Sequence, residues 1–355
     1  MIDVEIKKNI GSLNLNVALQ TAANVIGITG VSGSGKTTLL NCLSGLITPD
    51  HGRISINGQC LFDSSGINVS VHKRNIAVVF QDNRLFPNMS VEGNLKFALK
   101  HSRNLHKAFS IEDISKLVEI EHLMKRSVKN LSGGEIKRVA IGRAILSHPS
   151  LLLMDEPFAG MDDDLSWRIS GILKKIRSTL KIPMILVSHT LDQIQNLCDM
   201  LIIMKAGKIE AAGRISDFLA SKHTMELLKS LDYSNRIHGT VTGINRSGGI
   251  SNITISESVE IKAPLSGLPL GSDVSYMLRT KDISISDAHI PNISIQNQIP
   301  CMIKKVIYAD TGVVCVLDCG IELLAEVTID TAERLGLQAG ETAWALFKTQ
   351  ALTKH

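Results

Sequence analysis

The chain reads as an α/β domain with a largely parallel sheet, carrying a helical subdomain and followed by an all-β module. Three observations predict this. Short, unbroken apolar runs alternate with helical patterns through residues 1 to about 230, as expected of strands covered on both faces by crossover helices. A glycine-rich turn joins one of those runs to a helical stretch at Gly30-Val31-Ser32-Gly33-Ser34-Gly35-Lys36-Thr37. Beyond about Ser230, helical periodicity gives way to short alternating stretches separated by turn residues.

Bulk properties narrow the class. A length of 355 residues allows two or three domains with real cores. The 44% hydrophobic and 20% charged content is that of an ordinary globular protein, and 4% aromatics leave the core to aliphatic side chains. A net charge of +4 is too small to argue for nucleic acid and reads as a solvated surface of mixed sign. No apolar run approaches the roughly 20 residues that span a bilayer. The start, Met1-Ile2-Asp3-Val4-Glu5-Ile6, has no basic stretch followed by an apolar one. The expectation is a cytoplasmic chain that meets a membrane only through a partner. The six cysteines are scattered without a Cys-x-x-Cys pair, which favours reduced structural thiols over zinc or a disulfide framework.

Taken in order, strands are predicted at 25–28, 76–80, 151–154 and 184–187, with a hairpin at 201–204 turning at Gly207 into Lys208-Ile209. Val91, Leu95 and Leu99, then Ile111, Ile114, Leu117 and Val118, fall at helical spacing and place the helical subdomain at about 90–150. Strands are predicted again at 239–244, 252–255 and 313–317. Residues 268–276 resemble 337–344, a repeat that two small tandem barrels, over 231–290 and 291–355, would explain.

The glycine-rich turn has the form Gly-x-x-x-x-Gly-Lys-Thr between a strand and a helix. Its backbone N–H groups (Gly30, Val31, Ser32, Gly33, Ser34, Gly35) can curl round phosphates, and the helix opening at Thr38 adds its positive end. Lys36 supplies a point charge and Thr37 a hydroxyl for Mg²⁺. Leu151-Leu152-Leu153-Met154 delivers Asp155 and Glu156 to the C-terminal tip of a buried strand, where ligands of open α/β sheets bind. Asp155 suits the metal and Glu156 can take a proton from an attacking water. Leu131-Ser132-Gly133-Gly134-Glu135 opens another helix and makes a second anion site. Two such sites in one chain are natural if the nucleotide lies between two subunits.

On these motifs the first 230 residues resemble the nucleotide-binding subunit of ABC transporters, a P-loop NTPase fold. The resemblance implies ATP and Mg²⁺ as ligands. It gives Gln81 the place of the Q-loop glutamine that contacts metal or water, Asp162 that of the D-loop aspartate, and His189 that of the switch histidine. It implies a head-to-tail homodimer in which Lys36 and Glu156 of one copy face Ser132, Gly133 and Gly134 of the other across each ATP. It also implies integral membrane permease subunits as partners and a peripheral position on the cytoplasmic face of the inner membrane.

Three departures stand out. Residues 1–24 contain no aromatic to stack on adenine, leaving Leu13 or Leu15 for that contact. Ile136-Lys137 replaces the usual basic-then-glutamine pair, and these side chains are expected to face away from the phosphates with little effect. Gly160 stands where a different residue is more familiar.

A single cassette with an extra β module resembles importers rather than exporters. The stretch from Val79 to Pro87 with Gly93-Asn94-Leu95, together with Ser294-Ile295-Gln296-Asn297, resembles molybdate importers whose C-terminal OB-like (Mop/TOBE-type) module can bind the oxyanion. The resemblance implies uptake of molybdate or tungstate delivered by a periplasmic or extracellular oxyanion-binding protein, with regulatory molybdate at the C-terminal module. Gln296 replaces the usual arginine there and brings donors but no charge. An importer of sulfate, iron(III) or sugars, and a soluble non-transport ABC ATPase, remain the alternatives.

Overall fold

The computed structural model describes residues 1–102, 109–161, 163–188, 197–214, 218, 234–257, 259–309 and 312–354. They form two compact units, Met1–Asp217 and Phe218–His355.

The first unit is built on an eleven-stranded sheet. Its first strands in the chain are β1 (Ile2–Ile10), β2 (Leu13–Thr21) and β3 (Val25–Thr29), followed by helix α1 (Lys36–Ser44). Then come β4 (His51–Ile56), β5 (Gln59–Asp63), β6 (Ile67–Asn68) and β7 (Ile76–Val79). Helices α2 (Val91–Lys100), α3 (Ile111–Leu117) and α4 (Gly133–Leu146) lead to β8 (Leu151–Asp155). Helix α5 (Asp163–Leu180), β9 (Met184–Val187), β10 (Met200–Lys205) and β11 (Lys208–Gly213) complete the unit.

The order β6-β5-β4-β1-β2-β11-β10-β3-β9-β8-β7 divides the sheet in two. From β10 to β7 all neighbours are parallel, and these strands are the unbroken apolar runs of the sequence. The other side is largely antiparallel, with β1 between β2 and β4. The sheet is therefore less parallel than its apolar runs alone suggest. In β1 the alternation that places Ile2, Val4 and Ile6 inward leaves the opposite face half-exposed. The predicted hairpin is β10–β11, and its turn puts Ala206 and Gly207 at φ +47° and +79°, the left-handed pair that a tight two-residue hairpin turn requires.

Helices α2, α3 and α4 form the predicted helical layer. A Cβ on Gly142 of α4 would lie 3.3–3.6 Å from Val118, Ile114 and Leu95, so the absence of a side chain lets the three segments meet. Ser132 caps α4 and Ser110 caps α3, each in a reciprocal capping box with the acidic residue three positions on.

The second unit consists of two five-stranded sheets. The first contains β12 (Ser234–Asn245), β13 (Ile250–Ser256), β14 (Val259–Pro264) and β15 (Asp273–Arg279). A short strand, β16 (Ser284–Ser286), follows. The second contains β17 (Asn297–Ala309), β18 (Gly312–Asp318), β19 (Glu322–Val327) and, after helix α6 (Ile329–Arg334), β20 (Thr342–Phe347), with β21 (Thr353–Lys354) at the end. The strands of the two sets repeat in order, helix α6 having no counterpart in the first, and each set gives its last strand to the other's sheet. β16 pairs with β20, and β21 pairs with β15. Buried residues of both sets, from Ile237 to Leu352, make one continuous core.

Candidate functional site

The glycine-rich turn leaves β3, which lies between β10 and β9 in the parallel half of the sheet. Gly30 has φ +144°, and a Cβ there would lie 2.1 Å from the Met204 carbonyl oxygen, so only glycine fits. Gly33 and Gly35 also have positive φ, at +80° and +100°. The turn is tied down by Ser34 N–H donating to Val31 O at 3.1 Å and Gly207 N–H to Ser34 O at 3.0 Å. Val31, Ser32, Gly33 and Thr37 are exposed, whereas Ser34 is buried and Thr38 half-buried. Phosphate-sized groups can therefore reach the exposed rim. The Lys36 ammonium folds over the turn, donating to Gly30 O at 2.6 Å and Val31 O at 3.1 Å.

Asp155 and Glu156 stand at the end of β8, beside β9 on one side and β7 on the other. Glu156 holds a left-handed conformation, φ +47°, with its N–H donating to Val187 O at 2.9 Å. Such strain in a non-glycine residue at a strand tip is typical of functional positions. Burial pushes the Asp155 carboxyl up, against a hydrogen bond from Thr37 and the charges of Lys36 and Lys137. Burial pushes the Lys36 ammonium down, against the carboxylates of Glu156 and Asp155. Lys36, Thr37, Asp155 and Glu156, from two distant segments, thus converge. Asp155 Oδ1 is buried without a hydrogen-bond partner. A buried lone pair left open beside a threonine hydroxyl suits a hard cation with oxygen ligands.

Gln81 is exposed, just past Phe80 at the end of β7. Ser132 and Gly133 are exposed at the start of α4, with open space round Gly133. Gly134 is buried, and a Cβ there would collide with the Leu165 side chain. Asp162 and His189 lie outside the described residues. Gly160 has φ +72°, which accounts for a glycine at that position.

Two of the sequence expectations are corrected. Leu15 is fully buried and packs against Gly35, so it supports the turn from beneath and has no face for a base; Leu13, half-buried, lies at the same place. Lys137 does not face away. It is only 2% exposed, and its ammonium donates to Phe80 O at 3.4 Å, near Asp155 and Glu156. No local pattern marked it, because helical periodicity gives the face of a residue but not what that face meets.

Asn94 was visible in the sequence as part of a motif without a role. It is fully buried, accepts from Phe86 N–H at 2.8 Å and donates to Phe86 O and Ser90 O, locking the loop after β7 onto α2. In the second unit Gln296 is exposed, and its Oε1 accepts from the Thr349 hydroxyl at 2.9 Å. No helix among the described residues is long and apolar enough to cross a membrane.

Comparison with known proteins agrees with this geometry. The ABC transporter family profile matches residues 13–159 and the TOBE domain profile residues 293–353. The molybdenum import ATP-binding protein ModC of Aliivibrio fischeri is 34% identical, covering 100% of this chain and 98% of that protein. Those of Paramagnetospirillum magneticum (33%, 100% and 98%) and Rhizobium etli (34%, 98% and 98%) are as similar. Among solved structures, a dimeric bacterial ABC transporter cassette superposes with a TM-score of 0.52 at 26% identity, covering 61% of this chain and 99% of that one. A dimeric cassette in a post-hydrolysis state, bound to ADP and Pi, superposes with a TM-score of 0.51 at 26% identity, covering 61% and 99%. With full-length identity of this kind added to a strand-borne Asp155-Glu156 pair facing the Lys36 turn, the chain belongs to the molybdenum import ATP-binding proteins of the ABC transporter family.

Proposed function

We propose that this chain is the ATP-hydrolysing subunit of an ABC importer, coupling ATP hydrolysis to uptake of molybdate or tungstate. The observation that carries the reading is the convergence of Lys36, Thr37, Asp155 and Glu156 beside the glycine-rich turn, in a chain that matches molybdenum import ATP-binding proteins along its full length.

Backbone N–H groups of residues 30–35 and the N-terminus of α1 hold the phosphates, and Lys36 swings from the turn carbonyls onto them. Thr37, Asp155 and Gln81 are the oxygen donors that would hold Mg²⁺, which when bound neutralises charge developing on the phosphates. Glu156 orients the attacking water and accepts its proton, and His189 contacts the γ-phosphate. Ser132, Gly133 and Gly134 of a second copy close over the nucleotide, with Asp162 at the same seam. Closure of the dimer excludes water and strengthens these electrostatic interactions.

In this reading the permease subunits sit on the membrane, the chain is peripheral to the cytoplasmic face, and an oxyanion-binding protein delivers the substrate. Molybdate is sensed, in the same reading, at the TOBE module through donors such as the Gln296 amide. Because the two small sheets exchange strands, that binding is to be measured on the whole chain: calorimetry with molybdate showing no heat removes the sensing role.

Two variants test the ATPase assignment. K36A abolishes turnover with Mg-ATP, and E156Q accumulates as an ATP-bound dimer in gel filtration. Wild-type turnover in K36A overturns it. Loss of molybdate uptake, with sulfate uptake intact, in cells lacking the gene tests the substrate.

A further inference from the structure

The parallel pairing of β7 and β8 sets Val79 opposite Met154. Phe80, the first residue past β7, therefore lies level with Asp155, the last residue of β8, which is still paired with Val187 of β9, and Gln81 is the next residue beyond. Lys137 lies one turn into α4 and is buried with its ammonium on the Phe80 carbonyl, at 3.4 Å. Burial brings that ammonium down to about 8, against the charges of Asp155, Asp82 and Glu156. A long, flexible side chain held dry in one place has given up its solvation and its rotamer freedom, so the contact it makes there must be specific.

Helix α4 grips the far end of the same segment as well. Arg143 donates to Arg84 O at 2.7 Å and to Asn83 O at 3.3 Å. Asn83 and Arg84 are both left-handed, at φ +60° and +44°, and the Arg84 guanidinium stacks over the Phe80 ring at 3.7 Å. Residues 80–84 thus form a sharply bent bridge held at both ends by one helix, whose N-terminus is the Ser132-Gly133-Gly134 corner. Of the two holds, only Lys137 is on the side of the carboxylates.

We propose that Lys137 is a positioning residue for the hydrolysis reaction: its hydrogen bond to Phe80 fixes the backbone that carries Gln81 beside Asp155, and ties Gln81 to the seating of α4. The proposal rests on the ATPase reading above and specifies a residue that the phosphate turn and the strand-end acids do not reveal.

The test is steady-state ATP hydrolysis by the full-length chain, with nucleotide affinity measured separately by a fluorescent ATP analogue. K137M removes the donor at similar length and lowers kcat about tenfold, while KM and nucleotide affinity stay within about twofold. K137Q keeps a donor able to reach Phe80 O and retains at least about a third of wild-type kcat, a rescue that mere packing would not produce. Wild-type kcat in K137M, or equal loss in K137M and K137Q, overturns the proposal. Failure of both K137M and K137A to fold assigns Lys137 a structural role and overturns it too. A wild-type chain without turnover removes the ATPase reading itself, whereas full activity of K137M beside an inactive K36A removes this proposal alone.

Discussion

Asn235 on β12 is joined to Leu324 on β19 by two hydrogen bonds: its amide donates to Leu324 O at 2.8 Å, and its carbonyl accepts from Leu324 N–H at 2.6 Å. One side chain thereby acts as a strand neighbour between the two small sheets, and it also donates to Leu278 O at 3.3 Å. Asn235 is only 4% exposed, so removing its amide leaves buried backbone groups unpaired. N235A is expected to destabilise the second unit by about 3 kcal/mol. Hydrogen exchange should locate the loss in β12 and β19, with the amides of the first unit unchanged.

Arg74 does for the first unit what Asn235 does for the second. Its guanidinium is 1% exposed and donates to Cys42 O and Leu43 O at 2.9 Å, to Val69 O at 2.8 Å and to Asn68 Oδ1 at 3.1 Å. It satisfies the last carbonyls of α1, the helix that begins at Lys36. R74M is expected to lower stability by about 3 kcal/mol, read as a lower urea midpoint. A lower midpoint is also expected of G45A, whose new methyl would sit 2.6 Å from the Arg74 Nε at φ +85°.

Two glycines of the phosphate turn should respond differently. The Cβ of G30A meets the Met204 carbonyl oxygen at 2.1 Å, so β3 and β10 must separate and nucleotide binding is lost. G33A meets nothing within 4 Å and bears only the strain of φ +80°, about 1 kcal/mol. Titration of a fluorescent ATP analogue distinguishes the two.

Glu119 contributes to the pH dependence of stability. Its carboxylate receives Arg168 Nε at 2.6 Å and lies 3.6 Å from Lys175 and 4.0 Å from Arg138. The hydrogen bond from Arg168, ahead of the surrounding positive charge, holds its carboxyl below the ordinary 4.5. A depressed carboxylate stabilises the fold above its unfolded value, and the contribution is lost as pH falls through the folded one. E119Q is therefore expected to cost about 1 kcal/mol at neutral pH, since the site is partly solvated. The difference from wild type should vanish by about pH 3, as followed by urea denaturation across that range.

The phosphate turn, the acids after β8, the capped signature helix and the β10–β11 hairpin were all legible in the sequence, because each is a contiguous run whose glycines, caps and apolar spacing act locally. The strands of the antiparallel half were not. Ile2, Val4 and Ile6 alternate as a half-buried strand should, but which neighbour covers them depends on β2 and β4, the latter some 50 residues on. The weak repeat in the C-terminal region indicated two similar sets of strands. It could not indicate that each set ends in the other's sheet, since Ser284–Ser286 and Thr353–Lys354 are too short to carry a pairing preference.

The sequence by itself determined the local chemistry: a turn with backbone N–H groups for phosphate, a lysine and a threonine beside it, and two carboxylates at a strand tip. Only the tertiary structure decided which of these meet, and which unmarked residues join them. Thr37 reaches Asp155, Lys137 reaches Phe80, and Leu15 goes under the turn rather than to a base. The reason is physical. Backbone conformation and helix capping are settled among neighbours in the chain, whereas burial and electrostatic partnership are settled by strand order and packing between distant segments.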